Sequence, residues 1–596
     1  MSNRVLVEAG FSSFFTKWGD IRPDGVLTDF IPVTEQSTEA GVPFANYIYR
    51  GWNAAGSTDQ QHATWRASAS YVTGTHTLKA GYQAAHMVAK STTMVGSQIS
   101  YRFSNGVPNQ LTQRLGPSMT SNRTRYHAFF VQDQWTRNKL TVQGGVRYEY
   151  AHSYFPEGEN GIIEAHRYGP AITFPRTEGV RGYHDITPRM GAAYDVFGNG
   201  RTAVKVSVSK YLQSPYNGDS YTINNPGVTF VQTTNRGWND ANRNYVAECD
   251  FMNPAANGEC QAWSNVNWGN PVQTTTVNPE VLEGWGIRNW DWQFSAGVQQ
   301  EVLPQTSVEV SYARRWWGNF FVTDNRALRA RDYDDVTLIA PQHPELPGGG
   351  GYPVRFLARN TNSLLGASDP YFTTTSDFGD ETHYWQGVDV TVNTRIRSGL
   401  VLQGGTSTGR GVNDTCEIEI ARFGRPQRLI GVDQVPDCRY TERWLTTFRG
   451  LASYTVPRVD VQVSAIIRSQ PAASPGGAVA SNGSALSADY QMNARQFTEA
   501  TGRTFRPGVT SQTVDLLLPG QKYGDRVNGL DMRFAKILRF GSKRTNIGVD
   551  LYNLFNMNTP TGYRETFEPA NNGARWLQPS NVLLPRFVRL NVQFDF

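Results

Sequence analysis

The chain has 596 residues, of which 39% are apolar, 12% aromatic and 18% charged, and its formal net charge is +5. Ordinary globular chains carry about 25% charged residues, so a string of soluble domains is a poor fit, and 27 Tyr, 30 Phe and 15 Trp are too many for a solvated coil. A mean hydropathy of −0.47 without any apolar run of about 18 residues excludes a bundle of transmembrane helices, and basic residues scattered along the chain exclude a nucleic-acid-binding stripe.

What remains is an all-β chain, a transmembrane antiparallel β-barrel, and the elements read in that way from the start. The opening Met1–Glu8 has no apolar signal-peptide core and runs straight into an alternating segment. Leu140, Val142, Gly144, Val146, Tyr148 and Tyr150 alternate with Thr141, Gln143, Arg147 and Glu149. The same period of two recurs at Val204/Val206/Val208, at Val388/Val390/Val392, at Val459–Ile467 and at Val588–Phe596. Strand candidates come in pairs joined by tight turns, such as Thr73-Gly74-Thr75, Thr136-Arg137-Asn138, Leu303-Pro304-Gln305, Arg397-Ser398-Gly399, Val456-Pro457-Arg458 and Phe540-Gly541-Ser542. Between pairs the connections are far longer than the usual median of about 5 residues. Strictly alternating short and long connections mark an outer-membrane barrel, with short periplasmic turns and long external loops.

The passes begin near residues 3, 61, 76, 123, 139, 186, 201, 289, 306, 382, 399, 442, 458, 525, 543 and 586. That is about 16, an even number as such barrels require. Ile99–Leu115, turning at Ser104-Asn105-Gly106, reads as an extra external hairpin, and helix should be scarce. Trp135, Trp290, Trp292, Trp316, Trp317, Trp385 and Trp444 lie near strand ends, where an aromatic girdle would place them.

Cys249 with Cys260 and Cys416 with Cys438 each lie within one long polar connection, without a C-x-x-C motif or nearby His. Two local disulfides in an oxidising compartment are the reading, with free thiols the alternative and zinc improbable. Gly405-Thr-Ser407-Thr-Gly409 matches a nucleophile-elbow pattern but ends a strand with no helix after it. Gly348–Gly351 has no Lys-Ser/Thr pair and no following helix, so it reads as a loop. The acidic clusters Asp332–Asp335 and Asp377–Glu381 lack EF-hand spacing. His62, His76, His86 and His127 assemble no triad by spacing. Trp238, Trp263, Trp268 and Trp285 crowd the longest loop among many Asn residues. They could stack on a flat external ligand, or form the private core of that loop, which is the favoured reading.

Phe129-Phe-Val-Gln-Asp-Gln-Trp135, a tight turn and Leu140-Thr-Val-Gln-Gly-Gly-Val-Arg-Tyr-Glu149 resemble a strand hairpin of the TonB-dependent outer-membrane receptors. Tyr101–Gln113 and Leu551-Tyr-Asn-Leu-Phe-Asn556 look like the Oar-like branch of that family. The last strand, with Val592, Phe594 and Phe596, is similar to the signal that recruits barrels to the barrel-assembly machinery. The resemblance implies a plugged barrel of about 22 strands, a TonB-contacting N-terminal segment, and uptake driven by the inner-membrane proton gradient.

Residues 1–596 are therefore expected to form one barrel domain, the C-terminal part of such a barrel, with no plug, no signal peptide and no N-terminal strands in the chain. The implied partners are outer-membrane lipid, the barrel-assembly machinery, the missing plug and strands, and TonB only through that absent region. No cofactor, metal or catalytic residue is assigned. The expected function is uptake of an unidentified ligand across the bacterial outer membrane. The alternatives are a free-standing porin-like diffusion channel, or an outer-membrane adhesin or enzyme working through its loops.

Overall fold

A computed structural model describes residues 4–20, 30–36, 47–52, 54–160, 171–216, 218–359, 368–396, 399–471, 485–504, 511–541 and 543–595. Sixteen long strands make one sheet: β1 (Val5–Gly19), β2 (Ala54–Thr73), β3 (His76–Val95), β4 (Ser118–Arg137), β5 (Leu140–Phe155), β6 (Gly182–Asp195), β7 (Thr202–Leu212), β8 (Trp290–Leu303), β9 (Thr306–Gly318), β10 (Thr382–Ile396), β11 (Leu400–Asp414), β12 (Leu445–Val456), β13 (Val461–Gln470), β14 (Val527–Phe540), β15 (Lys543–Tyr552) and β16 (Phe587–Asp595). Three short strands, Thr177–Glu178, Glu283–Trp285 and Arg439–Thr441, extend the sheet at its loop end and bring it to 19. Among the described residues the α-helices are two, α1 (Cys416–Phe423) and α2 (Ala494–Thr501), both in loops.

The long strands pair antiparallel in chain order, from Val5↔Tyr71 on β1–β2 to Tyr552↔Phe587 on β15–β16. This meander is what a chain in lipid requires, because every backbone N–H and C=O must find a partner within the wall. Tight turns hold one end of the sheet; Gly74 and Gly541 sit at φ +57° and +63°, which a side chain would resist. The turn expected at Val456-Pro457-Arg458 runs on to Asp460, because Arg458 and Asp460 both take positive φ, and β13 starts at Val461 with Val459 left in the turn. Residues 397, 398 and 542 of the expected turns and the terminal Phe596 lie outside the described residues. β2 and β4 begin at Ala54 and Ser118, earlier than expected, because their outer ends are polar on both faces and carry no apolar alternation to read.

Period two separates the faces. Phe129 and Val131 on β4, Val146 on β5, Val206 on β7 and Val310 on β9 point outward and are exposed. Gln132, Arg147, Ser207 and Ser311 occupy the opposite, lumen face. Trp135, Trp290, Trp292, Trp316 and Trp444 share the outward parity expected of a girdle. Trp317 and Trp385 do not: they fall on the lumen side, in register with His383 and with Arg315 and Gly411 respectively.

β1 pairs with β2 and β16 with β15, and among the described residues no register joins β1 to β16. Both strands are therefore edges. Their side chains show it on both faces of β1, where Phe11 and Phe15 outward and Leu6, Phe14 and Trp18 inward are all exposed.

Beyond the strand ends the long loops fold on one another. The expected hairpin is present as Ile99–Ser104 and Val107–Arg114, central to a five-stranded sheet with Thr233–Gly237, Val33–Gln36 and Tyr47–Tyr49. A second cluster joins Tyr333–Ile339 and Pro353–Arg359 to Asp489–Met492 and Thr566–Phe567 over a core that includes Val354, Met492, Leu516 and Phe567. Loops from different hairpins thus share cores and make a built roof.

Candidate functional site

The lumen face is the surface on which this fold concentrates polar side chains. From β1 to β7 it lines a cavity of about 640 Å³ that includes Glu8, Arg66, Lys79, Arg147, Arg189 and Tyr211. Lys79 Nζ lies 2.8 Å from Glu8 Oε2 across the sheet, and the Arg189 guanidinium stands 4.5 Å from the Tyr211 ring centroid. A second recess of about 330 Å³ continues along β7–β9. There Lys205 Nζ donates to Gln299 at 2.6 Å and to Glu309 at 3.0 Å, and Ser207 and Ser295 hydroxyls share a 2.9 Å bond. Such a wall offers hydrogen bonds and positive charge to a polar solute at many levels.

At its upper end the wall is locked by a buried ion network. Arg288, on the segment entering β8, donates from Nε to Asp185 at 2.7 Å and from Nη2 to Glu149 at 2.8 Å. Arg147 Nε holds the other Glu149 oxygen at 2.8 Å, while its Nη2 reaches Gln83 at 3.1 Å and the Tyr126 hydroxyl. Two carboxylates facing two guanidiniums leave no uncompensated buried charge, which is the condition for tolerating ions there.

The four candidate tryptophans do not come together as one surface. Trp238 and Trp268 are 3% and 2% exposed. Trp238 packs 4.4 Å from the Tyr101 ring, and Trp263 stands edge-on to Trp268 at 5.1 Å. Neither buried ring presents a face to a ligand, because each is consumed by a loop core of its own, Trp238 with Tyr101 and Leu111 and Trp268 with Leu115 and Ile172. Trp285 is 62% exposed and stacks on His184 at 5.2 Å, on the outer side of the wall.

Both disulfides are formed, Cys249–Cys260 and Cys416–Cys438. The first closes a loop sewn from inside by Arg236, a buried guanidinium donating to the carbonyls of Gln261 at 2.7 Å, Asp250 at 3.1 Å and Ala255 at 2.8 Å. Sequence reasoning missed Arg236; an Arg in a polar loop carries no signal of burial. It missed Arg288 too, whose partners lie more than 100 residues away.

The weaker motifs find structural uses. Gly405, Ser407 and Gly409 lie within the regular ladder of β11, Ser407 opposite Asp389 and Thr447, so no elbow exists. Asp335 pairs with Arg355 at 3.1 Å and Arg425 at 3.2 Å, and Asp332 accepts from the Arg329 backbone at 2.6 Å. Glu381, just before β10, is half-buried; burial pushes its carboxyl up to about 7, against a hydrogen bond from Thr375.

Comparison with known proteins gives this wall its family. A model of the outer membrane beta barrel domain matches residues 9–405. The chain belongs to the outer membrane beta-barrel family. It resides in the bacterial outer membrane, and the alternating apolar face is its lipid contact. None of the curated proteins matches it in sequence. Among solved structures this barrel is similar to the outer membrane transporter YddB from Escherichia coli, at 11% identity and a TM-score of 0.53, over 99% of this chain and 61% of that one. It also aligns with the ferric yersiniabactin uptake receptor FyuA from Yersinia pestis, at 9% identity and a TM-score of 0.46, over 100% of this chain and 60% of that one. At such identities the likeness concerns the fold. The barrel spans about 60% of the length of these two structures.

Proposed function

We propose that this chain is one barrel domain forming the wall of a TonB-dependent transporter of the Oar-like branch, which takes up a polar ligand through its lumen and has no catalytic role. The observation that carries the reading is the lumen face of hydrogen-bonding and cationic side chains, continuous from Glu8 to Glu309, beneath a roof of folded loops. The exposed edges β1 and β16, with Leu6, Phe14 and Trp18 bare toward the lumen, support completion by further strands and a plug, through which TonB would act. The outward stripe Val588, Leu590, Val592 and Phe594 suits recruitment to the barrel-assembly machinery.

Two measurements test this. Planar-bilayer recording of residues 1–596 is expected to show no stable channel, and a steady conductance of porin type would overturn the reading in favour of a diffusion channel. In cells producing the barrel together with a plug and added strands, ligand accumulation should vanish when TonB is deleted.

A further inference from the structure

A collar of cations crowns the lipid face at the loop end of the wall. Three of its members rest on an aromatic ring apiece: Lys210 on Trp290, Arg314 on Tyr384 and Arg410 on Trp444. The β3–β4–β5 sector differs. There the register sets His86, Arg125 and His152 in one outward row and Arg123 beside Tyr154 in the next. Arg176, from the following loop, stands over the same Tyr154 ring at 4.6 Å, and Arg125 lies 5.3 Å from its centroid while donating to its hydroxyl at 3.3 Å. Among the described residues the carboxylate ion-paired to this group is Glu178 alone, 2.6 Å from Arg176. Arg123 Nη1 is buried without a hydrogen-bond partner. Three guanidiniums facing one carboxylate leave an excess of positive charge.

Height says what should neutralise it. At about 3.3 Å per residue and a tilt of about 40°, the stretch of β4 from Trp135 up to Arg125 rises about 25 Å, the thickness of the apolar band. Tyr82, Phe129 and Tyr148, directly in register across β3–β5, form an outward aromatic row four residues, about 10 Å, below Arg125. The arginines therefore stand where lipid headgroups begin, with acyl chains against the aromatic row beneath. A planar guanidinium with free N–H groups binds phosphate in a bidentate, charge-assisted way.

We propose that Arg123, Arg125 and Arg176 form a binding site on the outer wall for the phosphate of an outer-leaflet lipid headgroup. The site is separate from the lumen, and the lipid serves as a fixed structural ligand rather than cargo. The Tyr154 ring holds the Arg125 and Arg176 guanidiniums side by side, so the phosphate meets two gathered cations.

The test is native mass spectrometry of the full chain in detergent, titrated with bisphosphorylated lipid A, its dephosphorylated form, or inorganic phosphate. The intact protein should retain bisphosphorylated lipid A roughly tenfold better than the dephosphorylated lipid, the ratio that loss of one charge-assisted bond predicts. R123Q/R125Q should lose that preference, R123K/R125K should keep part of it, and K210Q/R314Q, elsewhere on the outward face, should keep it whole. Equal retention by R123Q/R125Q, indifference to the phosphate, or full displacement by millimolar inorganic phosphate would each overturn the proposal. If R123Q/R125Q fails to fold, R176Q on the exposed loop takes its place, and unchanged lipid preference in that variant would count against the site.

Discussion

Arg288 and Asp185 meet as a buried ion pair, Nε to Oδ2 at 2.7 Å, with side chains 2% and 1% exposed, although 103 residues separate them in the chain. The pair fastens the loop that enters β8 to the top of β6, and through Glu149 to β5. It makes one rigid corner of β5, β6 and the roof.

Removing one partner of such a pair leaves charge stranded without water. Arg288→Met should destabilise the folded wall by about 3–5 kcal/mol, since Asp185 loses its counter-ion and Glu149 is left with Arg147 alone. The double change Arg288→Met, Asp185→Asn, which leaves the Arg147–Glu149 pair in place, should be milder than Arg288→Met alone. Urea midpoints in detergent check both, and a double variant weaker than the single one would reject the account.

The Cys249–Cys260 loop should separate from the wall in its energetics. Replacing both cysteines with Ser frees an 11-residue span, and chain entropy assigns about 3 kcal/mol to such a closure. Limited proteolysis should then cut between Trp238 and Gln261, and Arg236→Met should have a similar effect by releasing three carbonyls. The thermal midpoint of the strands should stay within a degree or two of the parent. A large fall would show the loop core to be part of the wall's cooperative unit.

Gly409 exists for Trp385. A Cβ there would stand 2.2 Å from Trp385 Cζ2, and one at Gly387 would stand 2.5 Å from the same ring. Gly409→Ala should therefore expel the indole and cost about 1–3 kcal/mol, as overpacking does. Tryptophan emission and the unfolding midpoint should move together. Ser407→Ala, in the middle of the same motif, should change neither.

Most of the wall was legible in the chain because its physics is local. A lipid face and a polar face must alternate along each strand, so Leu140–Tyr150 or Val588–Phe594 declare themselves within ten residues. The tight turns declare one end of the barrel. The roof was legible only in pieces: the Ile99–Leu115 hairpin and the cysteine pairs are local, whereas the sheet that the hairpin enters joins residues from Val33 to Gly237. Arg236 and Arg288 were illegible for the same reason, as their burial depends on partners the sequence does not juxtapose. The girdle reading failed at Trp317 and Trp385 because proximity to a strand end says nothing of parity; counting from Val388 would have placed Trp385 on the lumen side.

Glu381 gives the loop end of β10 a pH dependence. Burial raises its carboxyl from the ordinary 4.5 to about 7, so the folded state holds the proton more tightly than the unfolded one. The resulting contribution is fully present below pH 4.5 and is lost as the pH rises through about 7. Hydrogen exchange at residues 375–383, corrected for its intrinsic pH dependence, should show more protection at pH 5 than at pH 8. Glu381→Gln should remove the difference, and an unchanged slope in that variant would refute the assignment.

The two edges yield the last prediction. β1 and β16 each use one side of their backbone, so alternate N–H and C=O groups on the other side face outward from the sheet. In lipid each unpaired group costs several kcal/mol, and water or detergent headgroups must otherwise satisfy it. In residues 1–596 in detergent, the unbonded amides of β1 and β16 should exchange quickly, while β8 and β9, paired on both sides, stay protected. Strands docked on the edges should slow β1 and β16 to the rate of β8. A mixed outcome discriminates as well: protection of both edges in the chain by itself would mean that β1 and β16 pair with each other, closing a sixteen-stranded barrel and favouring the diffusion channel.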